Sequence, residues 1–219
     1  MIRRRGTLFV VSAPSGAGKT TLCRELRQRV PDLAYSVSVT TREPRAGELD
    51  GTDFDFVSEA TFRALRDRGE LAEWATVHGH LYGTRASLIE RALAHGTDIL
   101  LDIDTQGAAQ LRARYPRREA VQAAGAADDR PEAVLVFIVA PSMEELEQRL
   151  RERRSEAEQE LARRLGRARE EIAMWRQYDY LVVNRDLKEA VEHLAAIVQA
   201  ERCRTARLTL RLPDLEVRT

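Results

Sequence analysis

The sequence predicts an α/β fold: a three-layer core in which a parallel sheet is covered on both faces by helices. Three observations carry this. Apolar runs at residues 7–12 (TLFVVS), 98–103 (DILLDI) and 133–139 (AVLVFIV) read as strands buried on both faces. Each is followed by a helical spacing of apolar residues, so strands and helices alternate along the chain. The first run leads into a short glycine loop, residues 13–18, and that loop leads into a helix.

Taken in order, residues 20–30 place Leu22, Cys23, Leu26 and Val30 on one helix face, and Pro31 ends it. Cys23 is expected to pack in the core. Residues 35–41 (YSVSVTT) alternate and are β-branched, which predicts one strand. Residues 42–53 carry Pro44, Gly47 and Gly51 and read as loop, and 54–57 as a short strand. Ser58 is placed to cap a helix that Gly69 stops. A strand at 74–81, a helix at 87–95 ended by Gly96, and a helix at 105–114 follow. Residues 116–131, rich in Ala, Arg and Asp without a period, predict a surface insertion. Ser142 with Glu145 three residues on has the pattern of a capping box. Leu161, Leu165, Ala168, Ile172 and Trp175 step by four and three, predicting a long helix that buries Trp175. A last strand at 180–183 precedes a helix carrying Leu187, Val191, Leu194 and Val198. The tail after Arg207 has no clear pattern.

At 219 residues the chain suits one domain, with or without inserted pieces, and fits a monomer or a homo-oligomer. Its 35 basic and 35 acidic residues cancel, which argues against a general nucleic-acid binder. No apolar run approaches the length of a membrane span. The basic start is followed by too short an apolar run for a signal peptide, and two cysteines, Cys23 and Cys203, make no disulfide framework. A cytoplasmic location is expected. His78 and His80 have no carboxylate or cysteine at ligand spacing, so no zinc site is expected. Of the basic residues 33 are Arg and only Lys19 and Lys188 are Lys, and Asn184 is the sole asparagine. A compositional bias toward Arg explains most of this, and makes the lysine at position 19 conspicuous.

Residues 12–21 read SAPSGAGKTT. Gly18, Lys19 and Thr20 fit the end of the phosphate-loop pattern G-x-x-x-x-G-K-[ST], with Ala13 where that pattern starts with glycine. The loop joins a strand to a helix, so backbone N–H groups and the helix dipole would face a polyphosphate. The nucleotide-phosphate candidates are therefore Ser12, Ala13, Pro14, Ser15, Gly16, Ala17, Gly18, Lys19, Thr20 and Thr21. Lys19 would reach the β- and γ-phosphates, and Thr20 would ligate Mg²⁺. A compact ammonium suits such a loop where a broad guanidinium does not.

The segment 36–57, SVSVTTREPRAGELDGTDFDFV, together with that loop, Glu73-Trp74-Ala75, Tyr82-Gly83-Thr84 and LLDIDTQG at 100–107, closely resembles guanylate kinase. The run TTREPRAGE is the specific part; the loop alone is not. The resemblance implies a phosphate-loop core (1–35, 97–149 and 166–219), an inserted GMP-binding domain (36–96) and a small mobile lid (150–165). It implies transfer of the ATP γ-phosphoryl group to GMP, with Mg²⁺, in purine nucleotide metabolism. ATP and GMP are then the partners, with no nucleic acid and no membrane. It further implies that Arg42 and Arg45 hold the GMP phosphate with Tyr82 nearby. Ser38, Glu73, Thr84 and Asp104 surround the guanine, and Asp102 faces the Mg²⁺ and phosphates. Arg153 and Arg164 close over the transferred group from the lid, and Asn184 lies near the ATP base. The implied catalytic set is Lys19, Arg42, Arg153 and Arg164.

Chemistry agrees with these roles. Guanine offers N1–H and N2–H₂ donors and an O6 acceptor; Glu73 and Asp104 can accept from the donors, and Ser38 can donate to O6. Adenine would leave a buried carboxylate unpaired. Three residues depart from the family pattern. Ala13 and Arg154 stand where glycines are usual, and neither removes a charge that the chemistry needs. Phe54 stands where a tyrosine hydroxyl usually meets the GMP phosphate, a loss of roughly ten- to a hundredfold in GMP affinity. The alternative of a non-catalytic phosphopeptide-binding module, like the guanylate-kinase-like domains of scaffold proteins, is disfavoured by Lys19 and Thr20, which such modules degrade.

Overall fold

The computed structural model describes residues 2–77, 79–117, 131–153 and 158–210. Most of the predicted insertion (118–130), His78 and Arg154 lie outside the described residues. In chain order the elements are β1 (Ile2–Arg4), β2 (Leu8–Ser12), α1 (Lys19–Arg29), β3 (Leu33–Tyr35), β4 (Ser38–Thr40), β5 (Phe54–Phe56) and α2 (Glu59–Asp67). Then come β6 (Leu71–Val77), β7 (His80–Arg85), α3 (Ala86–Ala94), β8 (Asp98–Asp102), α4 (Thr105–Arg114) and β9 (Ala133–Val139). The chain continues through α5 (Met143–Arg153), α6 (Glu158–Ala173), β10 (Tyr180–Val183), α7 (Leu187–Arg202) and β11 (Leu208–Leu210).

The predicted parallel sheet is there, five strands in the order β10-β9-β2-β8-β3. Its continuous apolar runs follow from burial on both faces. Phe9 and Val11 face one cluster with Leu22, Leu26, Leu165 and Leu194, from α1, α6 and α7. Leu8 and Val10 face another with Ile89, Ala108 and Leu111, from α3 and α4. At the strands' N-terminal pole, Asp98 is fully buried and accepts from the Thr7 N–H at 2.9 Å and from Arg202 at 2.7 Å, and pairs with Arg4. The carboxyl ends, where Ser12 and Asp102 lie, are left for a ligand.

A second sheet, β5-β4-β7-β6, covers a small core of Val39, Phe62, Leu65 and Leu71. Its β6 lies along α4. The Gln110 amide donates to the Trp74 carbonyl at 2.6 Å and its oxygen accepts from the Trp74 N–H at 3.2 Å. One side chain thus stands in for a neighbouring strand.

Five expectations change. The single strand at 35–41 is two: β3 ends the core sheet at Tyr35 and β4 starts the second sheet at Ser38. Leu33 packs in one core and Val39 in another, so alternation runs unbroken across the switch and hides it. The strand at 74–81 is a hairpin, β6 and β7 antiparallel, with Gly79 at φ 82° in the turn. Of the patternless tail, Leu208–Leu210 form β11, which pairs antiparallel with β1, and residues 211–219 lie outside the described residues. Trp175 is 37% exposed, because α6 stops at Ala173 and a 3₁₀ turn, Trp175–Gln177, carries the ring out of the helical period. Ser142 caps α5 by accepting from the Glu145 N–H at 3.2 Å, but the Glu145 carboxylate pairs with Arg149 instead of closing the box.

Candidate active site

The loop between β2 and α1 is shaped by two glycines. Gly16 and Gly18 both have φ near 92°, a left-handed conformation that side chains resist. Ala13 does not need that freedom, since the only described non-glycine residue with positive φ is Asp32; this explains why alanine is tolerated there. Unlike α2, α4 and α7, which Ser58, Asp104 and Asp186 cap, and like α3, α1 has no side-chain cap and no acid in its first turn, with Gly18 at its N-cap position. Its first N–H groups are left for an anion.

Lys19, the first residue of α1, reaches across to β8. Its Nζ pairs with Asp102 Oδ1 at 2.5 Å and donates to the Ile103 carbonyl at 2.7 Å. Burial works against this ammonium, but the Asp102 carboxylate more than offsets it, and the Lys19 pKa is raised. Thr20 is exposed beside it. Cys23, one turn on, is core as expected, and burial pushes its thiol up.

Across the cleft, Glu73 on β6 is only 3% exposed. Thr84 on β7 donates to its Oε1 at 2.6 Å. Burial, opposed by that one hydrogen bond and reinforced by the Asp104 charge, pushes the Glu73 carboxyl up to about 7. Asp104 is the N-cap of α4, with Oδ1 accepting from the Gly107 N–H at 2.8 Å. A methyl on Gly107 would run into the Glu73 carboxylate, so glycine is what lets α4 and β6 approach this closely.

Arg42 is held on every side. Its Nη2 donates to both oxygens of Glu48 at 2.9 Å, its Nη1 to the Glu43 carbonyl at 2.7 Å and its Nε to the Tyr82 hydroxyl at 3.2 Å. The guanidinium lies 5.2 Å from the Phe54 ring centroid and 5.7 Å from that of Phe56. Burial works against the Glu48 charge, but the Arg45 N–H and the Arg42 guanidinium hold its carboxyl below the ordinary range.

One cleft of about 410 Å³ is lined by Lys19, Thr20, Ser38, Glu48, Phe54, Glu73, Tyr82, Asp102 and Asp104 among others, with Arg42 bonded to its Glu48 and Tyr82 and Thr84 to its Glu73. A family model described as guanylate kinase matches residues 5–201. The chain belongs to the guanylate kinase family. The guanylate kinase of Geobacter metallireducens is 47% identical over 207 residues, covering 94% of this chain and 95% of that one. That of Aromatoleum aromaticum is 49% identical over 201 residues, covering 92% and 91%. A crystal structure of guanylate kinase from Anaplasma phagocytophilum superposes with a TM-score of 0.75 at 33% identity, covering 95% and 93%.

Within this family fold the residues singled out by sequence fall into two groups. Lys19, Thr20, Ser38, Glu73, Tyr82, Asp102 and Asp104 meet at the cleft. Of the others, Arg42 bonds Glu48 and Tyr82 of its lining. Thr84 is fully buried behind Glu73, and Arg45 is exposed on the loop beside Glu48. Arg164 sits partly buried on α6, and Arg153 ends α5, with its side chain outside the described residues. Asn184 turns its side chain to the phosphate loop. Sequence reasoning passed over Glu48, Gly107 and Gln110. It also passed over Glu171 on α6, whose carboxyl burial and then Asp104 push up to about 7. Only Glu48 had a local signal, lying at the end of TTREPRAGE.

Proposed function

We infer that the chain transfers the γ-phosphoryl group of ATP to GMP or dGMP, giving ADP and GDP, in purine nucleotide metabolism in the cytoplasm. The observation that supports this most is that Lys19 and Glu73 open onto one cleft. A phosphate-seeking ammonium and a guanine-seeking carboxyl then act on two ends of adjoining substrates.

In this reading Lys19 leaves Asp102 and the Ile103 carbonyl for the β- and γ-phosphates, and the α1 N–H groups hold the remaining charge. Arg42 and Arg45 take the GMP phosphate. Arg42 is already aimed by Glu48, Tyr82 and the Phe54 ring, so little ordering remains to be done on binding. Glu73 and Asp104 accept from guanine N1–H and N2–H₂, and Ser38 donates to O6. The GMP phosphate oxygen is itself the nucleophile, so no general base is assigned. Arg153 and Arg164 close from the lid, share the transferred charge and exclude water.

The residues present fit Mg²⁺. Thr20 and Asp102 offer hard oxygen donors at the loop, and among the described residues no three His, Cys, Asp or Glu gather to hold an ion by themselves. That suits a cation carried in on triphosphate oxygens. When bound it would neutralise charge on the β- and γ-phosphates. Both cysteines are free, in keeping with a reducing compartment, and no helix among the described residues is long and apolar enough to cross a membrane. The non-catalytic reading is not favoured, because the Lys19–Asp102 arrangement it would dispense with is intact.

The test is ADP release, coupled to an indicator, with ATP and GMP, dGMP, AMP or UMP. GMP and dGMP should turn over, and AMP and UMP should lag by roughly 10⁴-fold in kcat/KM. Equal rates with AMP and GMP would sink the guanine assignment.

A further inference from the structure

Asn184 follows β10 and is 6% exposed. Its side-chain amide donates through Nδ2 to the Ala17 carbonyl at 2.7 Å, a buried bond across 167 residues of chain. The same nitrogen stands where a side chain on Gly18 would begin, 2.5 Å from an ideal Cβ. Asn184 is itself fixed by its backbone, its N–H donating to Val139 at 2.8 Å and its carbonyl accepting from Arg149 Nη2 at 2.8 Å. Arg149 pairs with Glu145 on the same helix, α5. That helix also presses on the loop directly, since a Cβ on Gly16 would lie 3.0 Å from Leu150 and 3.2 Å from Leu146.

A trans peptide points its C=O and N–H in opposite directions. A donor that captures the Ala17 carbonyl therefore turns the Gly18 N–H the other way, and keeps that peptide from flipping. Phosphate loops bind through such N–H groups. We propose that Asn184 is a positioning residue of the phosphate loop, acting through the Ala17 carbonyl, and that it does not serve by reading the ATP base. The proposal rests on the phosphoryl-transfer reading above and deepens it. It gives the only asparagine of the chain a role that its short amide fits, a neutral donor reaching a carbonyl at fixed distance. Arg149 is then a brace that links the loop to the helix leading into residues 154–157.

The experiment is calorimetric titration of the full chain with the Mg²⁺ complexes of ATP and of inorganic tripolyphosphate, which has no base. Wild type should bind both; binding neither would overturn the phosphoryl-transfer reading and the proposal with it. Asn184→Ala should weaken both ligands equally, by about tenfold. Asn184→Asp, which sets an anion against the carbonyl, should weaken both further. Arg149→Met should weaken both by a smaller factor, about threefold. GMP affinity should stay within twofold of wild type in all three, which a general loss of fold would not allow. A loss for ATP with tripolyphosphate unchanged would overturn the proposal in favour of a base contact. So would unchanged binding of both ligands, or a loss of GMP affinity that matches the loss of ATP.

Discussion

At the proposed phosphate end of the cleft the groups on offer are backbone N–H donors from a glycine loop, with one lysine added. At the base end they are carboxyl groups, Glu73 buried in β6 and Asp104 capping α4. The first end comes from a single stretch of ten residues, 12–21. The second is assembled from β4, β6 and α4, held together by the Gln110 clasp on Trp74 and the glycine at 107. Charge is treated differently as well. Lys19 stays ionised because Asp102 faces it, whereas burial pushes the Glu73 carboxyl up to about 7 against the one hydrogen bond that it accepts among the described residues, from Thr84. On the proposed reading the phosphate end is charged in advance, and Glu73 at the base end would gain its charge when guanine donors arrive.

The largest test of this contrast is Lys19→Ala. It should lower kcat about 10³-fold, since the charge on the transferred group loses its fixed partner. Lys19→Arg should rescue little, because the loop takes a point charge and not a planar fork. Turnover of either variant within tenfold of wild type would show that the loop is not the phosphate end.

Glu73→Gln comes next. An amide has one oxygen and sets an NH₂ donor where the second carboxylate oxygen accepted, so kcat/KM for GMP should fall about 10²-fold while the weak rate with AMP stays level. The sign of the pH effect follows from the same group. Below pH 7 Glu73 is protonated in the free protein, and guanine N–H donors need it ionised, so binding must expel a proton. The KM for GMP should therefore rise as pH falls below 7, by up to about tenfold per unit. The GMP phosphate adds its own titration near pH 6. Glu73→Gln should keep that contribution and lose the rest, and a profile identical to wild type would place the titrating group elsewhere.

The contrast also explains what the sequence made legible. The parallel sheet was readable because strands buried on two faces leave long apolar runs, and the loop was readable because its residues are contiguous. Lys19 needed no tertiary information. The second sheet was harder. The step from β3 to β4 keeps the alternation intact while changing sheets, and the β6–β7 turn depends on one glycine inside an otherwise strand-like run. Glu73 and Asp104 were reached through resemblance to a family, since 31 positions of chain separate them and no spacing announces a pair. Gly107 and Gln110 were missed because their roles consist of what they touch in β6, which no local pattern records.

Gly107→Ala probes that close approach. The added methyl has to displace either the Glu73 carboxylate or the first turn of α4, so the base site should open while the loop is untouched. The expected result is a rise of about tenfold in the KM for GMP with the KM for ATP unchanged, a smaller effect than deleting the carboxylate because Glu73 can shift. Equal rises for both substrates would mean that the two ends are not independently built.

Phe54→Tyr should give the smallest effect and the only gain. A hydroxyl added at the Phe54 ring tip would offer the GMP phosphate a hydrogen bond to a charged group, worth about ten- to a hundredfold if nothing replaced it. Two features reduce that figure. Tyr82 already brings a hydroxyl to Arg42, and the Phe54 ring packs edge-on against Tyr82 at 6.0 Å while lying beneath the Arg42 guanidinium. The ring's work on Arg42 is the same with or without a hydroxyl, so only the direct bond is new. The KM for GMP should fall by less than about tenfold, with kcat unchanged, since the contact would be equal in ground and transition states. In the double variant with Tyr82→Phe the gain should grow toward the full value, because the existing hydroxyl is gone. A gain of the same size in both backgrounds would show that Tyr82 does not compensate, and a rise in KM would show that the ring's place beneath Arg42 leaves no room for an oxygen.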